Sequence, residues 1–162
     1  MRVFITGASS GIGAALARHY AAMGATLGLA ARHQRRLFEL VAELPAKLPG
    51  SHACYAVDVT DAAALQMAAA DFITRYGCPD IVIANAGISV GTLTEETDDL
   101  PVFRRVIETN VLGVVHTFAP FIEAMRTRGS GRLVGIASVA GIRGLPGAGA
   151  YSASKAAVIT YL

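Results

Sequence analysis

The sequence predicts an α/β fold built on a parallel sheet, and two observations carry that prediction. Short apolar runs alternate with longer segments of helical period, the pattern left when crossover helices separate parallel strands. The first run, Val3-Phe4-Ile5, leads at once into TGASSGIG at residues 6–13, a glycine-rich turn of the kind that joins a strand to a helix. No repeat, low-complexity stretch or linker interrupts the alternation, and 162 residues with 53% apolar content suffice for one packed domain over 1–162.

Strands are expected near 2–6, 26–31, 53–57, 80–84 and 132–138, with helices between them. The first helix carries Ile12, Leu16, Tyr20 and Met23 on one face, directed at the sheet, and stops at Gly24. Residues 33–46 and 61–76 read as the next two helices, the second with Thr60 or Asp61 as its N-cap. The stripe Phe103, Ile107, Val111, Val114, Phe118, Ile122 and Met125 predicts a further helix laid on the sheet. Glu95, Glu96, Asp98 and Asp99 precede Pro101, which suits a helix start; without a histidine beside them they are a weaker candidate for a metal site.

Composition narrows the function. With 14 Lys and Arg against 12 Asp and Glu, the net charge of +2 does not advertise a nucleic-acid surface. Cys54 and Cys78 lack CxxC spacing, so they are expected as two buried thiols in a reducing compartment rather than a disulfide or zinc site. His19, His33, His52 and His116 show no ligand spacing, although His33 sits beside a residue of interest, and no metal is expected. Charged residues break every apolar stretch before it reaches about 18 residues, and residues 2–6 read as a strand rather than a signal peptide, so the expected location is cytoplasmic.

The glycine turn is the first candidate site. Gly7, Gly11 and Gly13, with Ser9, Ser10 and Ile12 between them, can bring backbone N–H groups and a helix N-terminus to a pyrophosphate. The spacing is GxxxGxG rather than GxGxxG, so a mere flexible turn stays open unless partners appear downstream. About twenty residues on, where a dinucleotide site usually holds the ribose with an acid, stands Arg32 in Ala30-Ala31-Arg32-His33. An arginine there suits a 2′-phosphate and favours NADP over NAD; the alternative is an exposed arginine opening a helix, with Arg35 and Arg36 on its solvent side.

Asp58-Val59 and Asn85-Ala86-Gly87 each follow a predicted strand, at the carboxyl edge where ligands sit in such sheets. Asp58 can accept from an adenine amino group and Gly87 permits close backbone approach, though each taken separately can be a turn residue. The most specific stretch is YSASK at 151–155, with Ser138 thirteen residues earlier. Tyr151 and Lys155 share a helical face. An ammonium about 5 Å from a phenol, at an effective dielectric near 20, favours phenolate by about 3 kcal/mol, or roughly two pK units. Ser138 would hold a substrate oxygen, Tyr151 would move the proton, and Lys155 would tune Tyr151 and bind ribose; a chance YxxxK helix is the bland alternative.

Taken together, TGASSGIG, NAG, ETNVLG, GIASVAG and YSASK resemble, in order and spacing, the short-chain dehydrogenase/reductases with GxxxGxG and YxxxK motifs. That resemblance implies a Rossmann-like doubly wound parallel sheet in strand order 3-2-1-4-5, and an NADP-dependent oxidoreductase acting on a ketone or aldehyde and its alcohol. It adds Asn110, in ETN, as a fourth catalytic residue that bends its helix and binds a water relaying protons to Lys155. It also implies a homodimer or homotetramer through the helices over 100–127 and 150 onward. Members of that family run to about 250 residues, a single-domain length. The nucleotide-binding domain over 1–162 is therefore expected to be cut short, without C-terminal strands and substrate lid, and its own turnover is open. The loop 139–149, with Ile88, Ser89, Val90 and Arg143, is expected to wall an apolar substrate pocket. An NADP-binding sensor or scaffold without turnover is the competing class.

Overall fold

The five apolar runs pair into one sheet. In the computed structural model, which describes residues 1–46 and 50–162, β1 (Arg2–Thr6), β2 (Thr26–Ala31), β3 (His52–Ala56), β4 (Ile81–Ala84) and β5 (Arg132–Gly135) are parallel, in the order β3-β2-β1-β4-β5. Val3 pairs with Leu27 on one side and Ile81 on the other, so the three central strands end nearly level. The crossover elements are α1 (Gly11–Ala22), α2 (Gln34–Glu43), α3 (Ala62–Tyr76), α4 (Leu100–Ile107), α5 (Gly113–Arg128) and α6 (Gly149–Tyr161).

Side chains of alternating strand residues point to opposite faces and build two cores. Val3, Ile5, Leu27, Leu29, Ile81 and Ile83 pack with Ala14, Ala17 and Ala21 of α1 and Leu37 and Leu40 of α2. Phe4, Ala30, Val82 and Ala84 pack with Ala69 and Phe72 of α3, Phe118 and Phe121 of α5, and Val158 of α6. Gly28 in β2 makes room for that second core: a Cβ there would stand 2.5 Å from the Phe4 ring and 2.7 Å from Phe72. At the amino end of the sheet, Asp80 accepts the Arg2 N–H at 2.7 Å and an Arg128 guanidinium N–H at 3.0 Å. Arg128 also donates to the carbonyls of Cys78, Pro79 and Ser130, tying the end of α5 to the start of β4.

Several elements depart from the sequence expectation, each for a local reason. The buried face of α1 is Gly13, Ala14, Ala17 and Ala21, while Ile12 and Met23 are 60% exposed and Leu16 and Tyr20 pack at the margin. That is a rotation of one residue, about 100°. It follows from Gly13, where a Cβ would fall 2.3 Å from the Gly7 carbonyl oxygen, so small residues must face the sheet. The second helix ends at Glu43 rather than 46 because Leu44 precedes Pro45 and is extended. The long helix is broken into α4 and α5 by a π turn, Glu108–Leu112, whose extra residue resets the phase. Val106, Asn110, Val114, Thr117, Phe118, Phe121 and Met125 are buried, whereas Phe103 and Ile122 face solvent.

The fifth strand stops at Gly135, not 138. The Ile136 N–H still donates to the Ala84 carbonyl, but β4 ends there and offers the chain no further ladder partner. Between Thr60 and Asp61, the cap of α3 is Asp61, which accepts the Ala64 N–H at 2.9 Å. Asp98 and Asp99 lie in a 3₁₀ turn, Thr97–Asp99, before α4, and Asp99 accepts the Leu93 N–H. Cys54 and Cys78 are half-buried rather than buried, and both are free thiols; burial pushes Cys54 upward from its ordinary range. Among the described residues no helix is long and apolar enough to cross a membrane.

Candidate functional site

The strand order reverses at β1, between β2 and β4, and a cleft of about 350 Å³ opens beyond the carboxyl ends of these strands. Its floor is the glycine turn. Gly7 has φ +66 and Gly11 φ +52, backbone states that glycine enters without Cβ strain. A Cβ at Gly7 would lie 2.7 Å from Ala86 Cα, so the turn abuts the end of β4. Asn85 staples the two: its Nδ2 donates to the carbonyls of Thr6 and Gly7, each at 3.1 Å. No side chain caps α1 at Ser10, which leaves the first-turn N–H groups for whatever fills the cleft.

Ten of the expected cofactor residues line this cleft: Gly7, Ser9, Ser10, Ile12, Arg32, Asp58, Val59, Asn85, Ala86 and Gly87. Gly11 and Gly13 do not; they let α1 leave the turn. Arg32 Nη1 stands 3.8 Å from Asp58 Oδ2, with side chains 64% and 40% exposed, so the pair contributes little to stability. Asp58 Oδ1 accepts both the N–H and the hydroxyl of Thr60, at 3.0 and 2.9 Å, so Asp58 forms the turn as well as lining the cleft. The sequence reading missed Ala31, Arg36, Val57 and Thr109 as lining residues, and placed Ile88, which also lines the cleft, on the substrate wall. Arg36, in the first turn of α2, is exposed as expected and also lines the cleft; Arg32 precedes the helix, so no helical spacing links the two. His33 lines the cleft beside them.

None of Asn110, Ser138, Tyr151 and Lys155 lines the cleft, so Tyr151 and Lys155 stand outside it as expected cofactor residues, while Asn110 and Lys155 lie just beyond its Gly87 end. Asn110 lies in the π turn, wholly buried, with Oδ1 accepting the Ile88 N–H at 2.8 Å. Its Nδ2 donates to the Ile88 carbonyl at 2.9 Å and to Ser154 Oγ at 3.0 Å, so both amide hydrogens are committed to protein atoms. On α6, Lys155 is 5% exposed, donates from Nζ to the Ile136 carbonyl at 2.6 Å, and stands 5.7 Å from the centroid of the Tyr151 ring. Burial pushes the Lys155 ammonium below the ordinary lysine range. Gly87 joins the two ends: it lines the cleft, and a Cβ there would stand 3.2 Å from Asn110 Oδ1 and 3.6 Å from Lys155 Nζ.

Ser138 lies just past β5 as the N-cap of a 3₁₀ turn, Val139–Gly141. Its hydroxyl accepts the Ala140 N–H at 3.2 Å, which leaves the hydroxyl proton available for another acceptor. The expected substrate wall is open: Ile142 is 82% exposed and Arg143 is exposed beside it. Thr92 holds that loop to its neighbour, donating its N–H to Gly147 and accepting the Ala150 N–H on Oγ1.

A Rossmann-like parallel sheet in this order, with a glycine turn under a cleft at the switch point, defines a nucleotide-binding α/β fold. The chain belongs to the short chain dehydrogenase family, whose model matches residues 1–162. It is 41% identical over 159 residues to an uncharacterised oxidoreductase of Mycobacterium tuberculosis, covering 97% of this chain and 62% of that protein. It is 38% identical over 157 residues to a 2-dehydro-3-deoxy-L-rhamnonate dehydrogenase (NAD(+)) of a Sphingomonas strain, covering 97% of this chain and 61% of that protein. The X-ray structure of an alcohol dehydrogenase from the archaeon Thermococcus sibiricus, complexed with 5-hydroxy-NADP, matches with a TM-score of 0.88 at 32% identity, over 99% of this chain and 67% of that one. The chain thus spans about three fifths of the length of these curated relatives.

Proposed function

We propose that the protein is an NADP-dependent oxidoreductase that interconverts a ketone or aldehyde with its alcohol, with Tyr151 as the acid/base. The observation that carries this reading is Gly87, the point where the nucleotide cleft meets Asn110 and Lys155. The cleft fits a dinucleotide: Cβ-free backbone at Gly7 and uncapped amides of α1 at one end suit a pyrophosphate, and Arg32 with Asp58 suits an adenosine 2′-phosphate and its base. Gly11 and Gly13 would shape that cradle, Asn85 to Gly87 would border the bound nucleotide, and Tyr151 and Lys155 would hold ribose hydroxyls. When bound, the nicotinamide supplies or accepts the hydride.

The chain's own residues handle the proton and the positioning. The Tyr151 hydroxyl gives a proton to the substrate oxygen in reduction and takes it back in oxidation. The Ser138 hydroxyl donates to that same oxygen, as its uncommitted proton allows. Lys155, held by the Ile136 carbonyl, places its ammonium beside the Tyr151 ring. Asn110 fixes the Ile88 backbone and Ser154, and so sets the spacing between cleft and α6.

NADP rather than NAD is read from Arg32, with no carboxylate at its position; of the proteins compared, one is named for NAD(+) and another was complexed with 5-hydroxy-NADP. A cytoplasmic setting accords with the two free thiols, Cys54 and Cys78. Pairing into a homodimer or homotetramer is supported by exposed Leu100, Phe103 and Leu112 along α4 and the π turn, and by Ile159 on α6. A sensor without turnover is favoured by one observation, the open substrate wall at exposed Ile142 and Arg143.

The test is a titration with NADPH and NADH followed by Tyr151→Phe. The expected result is tighter NADPH binding, retained by Tyr151→Phe while carbonyl reduction is lost. Turnover that survives the substitution refutes the acid/base assignment, and cofactor binding without turnover, both in this chain and in a form extended to its relatives' length, selects the sensor.

A further inference from the structure

His33 lines the cleft, whereas His116 reaches its wall from behind, out of α5. Its Nδ1 lies 2.9 Å from the Val59 carbonyl oxygen. A carbonyl only accepts, so Nδ1 carries the hydrogen and donates it. The other polar end of the same peptide, the Thr60 N–H, donates to Asp58 Oδ1 at 3.0 Å. The Val59–Thr60 peptide is therefore pinned at both ends, by His116 on one side and by the Asp58 carboxylate on the other. The remaining oxygen of that carboxylate faces Arg32 at 3.8 Å. One turn before His116, Gly113 supports the same residue, since a Cβ there would stand 2.7 Å from Val59 Cγ2.

We propose that His116 is a positioning residue for the adenosine end of a bound dinucleotide, acting through the Val59–Thr60 peptide on Asp58 and Arg32. Without the imidazole donor, the Val59 carbonyl loses its partner and the peptide is free to rotate. Rotation takes the Thr60 N–H away from Asp58, leaving the carboxylate beside Arg32 held on that side by the Thr60 hydroxyl alone and less firmly oriented. The ligand class is an adenine nucleotide bearing a ribose phosphate, and the inference rests on the reading of the cleft as an NADP site. α5 is also the helix that continues from the π turn holding Asn110, so one rigid element carries groups for both ends of the cleft.

The experiment is calorimetric titration of the chain with 2′-AMP and with NADPH, in wild type, His116→Phe and His116→Asn. Phe keeps a ring and removes the donor; Asn keeps a short N–H donor. His116→Phe is expected to weaken 2′-AMP and NADPH by the same factor, five- to tenfold, while His116→Asn stays within twofold of wild type. Gly113→Ala, which leaves the imidazole and displaces Val59, is expected to weaken both ligands as well, and it carries the test if the Phe variant does not fold. Unchanged 2′-AMP binding in His116→Phe overturns the inference, as does a loss seen with NADPH alone or an Asn variant as weak as Phe at equal Tm. If wild type binds neither NADPH nor NADH, the cleft reading itself fails and this inference falls with it; wild-type binding with an unaffected Phe variant sinks the inference alone.

Discussion

Asn110 uses every hydrogen of its amide on the protein itself, which makes it a structural joint as much as a chemical group. Asn110→Ala would leave the partly buried Ile88 N–H and carbonyl without their partner, a loss of about 1–3 kcal/mol at most for each. We expect a loss of about 2–4 kcal/mol in urea unfolding, alongside reduced turnover. Arg32→Ala should weaken NADPH by about tenfold or more, the scale of one charge-assisted hydrogen bond, and leave NADH nearly unchanged. Equal losses in the two titrations would refute phosphate recognition. At this scale the sequence was informative about residue types: Arg32, Tyr151 and Lys155 declare their chemistry wherever a chain places them. It was silent on partners. That Lys155 would bind the Ile136 carbonyl depends on where β5 stops, and Asn110 interrupts an apolar stripe without any periodic signal, so only the family resemblance raised it.

Elements were legible in kind and in order, because alternating strand and helix periods report which faces must be covered. Their phases were less so. In α1 the larger residues Ile12, Leu16, Tyr20 and Met23 suggest one face, yet close approach to Gly7 hands the sheet side to Ala14, Ala17 and Ala21. Hydrophobicity alone does not encode that distance. Gly13→Ala therefore tests the explanation: its methyl would meet the Gly7 carbonyl and the Asn85 amide. We expect a loss of about 3 kcal/mol by thermal or urea unfolding, and cofactor affinity falling with it, since the cradle and the helix share the contact. An alanine tolerated without change would mean that α1 sits farther from the turn. Gly28→Ala should likewise destabilise the protein without touching the cleft, because its methyl would enter the ring pair of Phe4 and Phe72.

For the whole molecule, one carboxylate at the end of the sheet opposite the cleft ties stability to acid. Partial burial raises the Asp80 carboxyl, but the Arg2 N–H bond, the guanidinium groups of Arg2 and Arg128 and the terminal amine outweigh it and hold it below the usual carboxylate range. A carboxyl depressed in the folded state stabilises the fold above its unfolded pKa, about 3.9, and loses that contribution as pH falls through the lower folded value. Asp80→Asn should be less stable than wild type at pH 7, and the gap should close below about pH 4 when unfolding is followed across pH. A gap that persists in acid would remove the carboxylate from the account.

The π turn at Glu108–Leu112 has a consequence for how the gene can change length. One residue deleted inside it would return the chain to α spacing with Val106 and Val114 about 20° from facing the same way, so His116, Phe118 and Phe121 would keep their seats while the bulge that presents Asn110 is lost. The same deletion in the exposed stretch 94–98 touches neither the packing nor Asn110. Shortening before α4 should therefore leave both the packing and the site intact, whereas a residue lost from ETNVL should leave the packing and remove the placement of Asn110, separating stability from activity at a single backbone position.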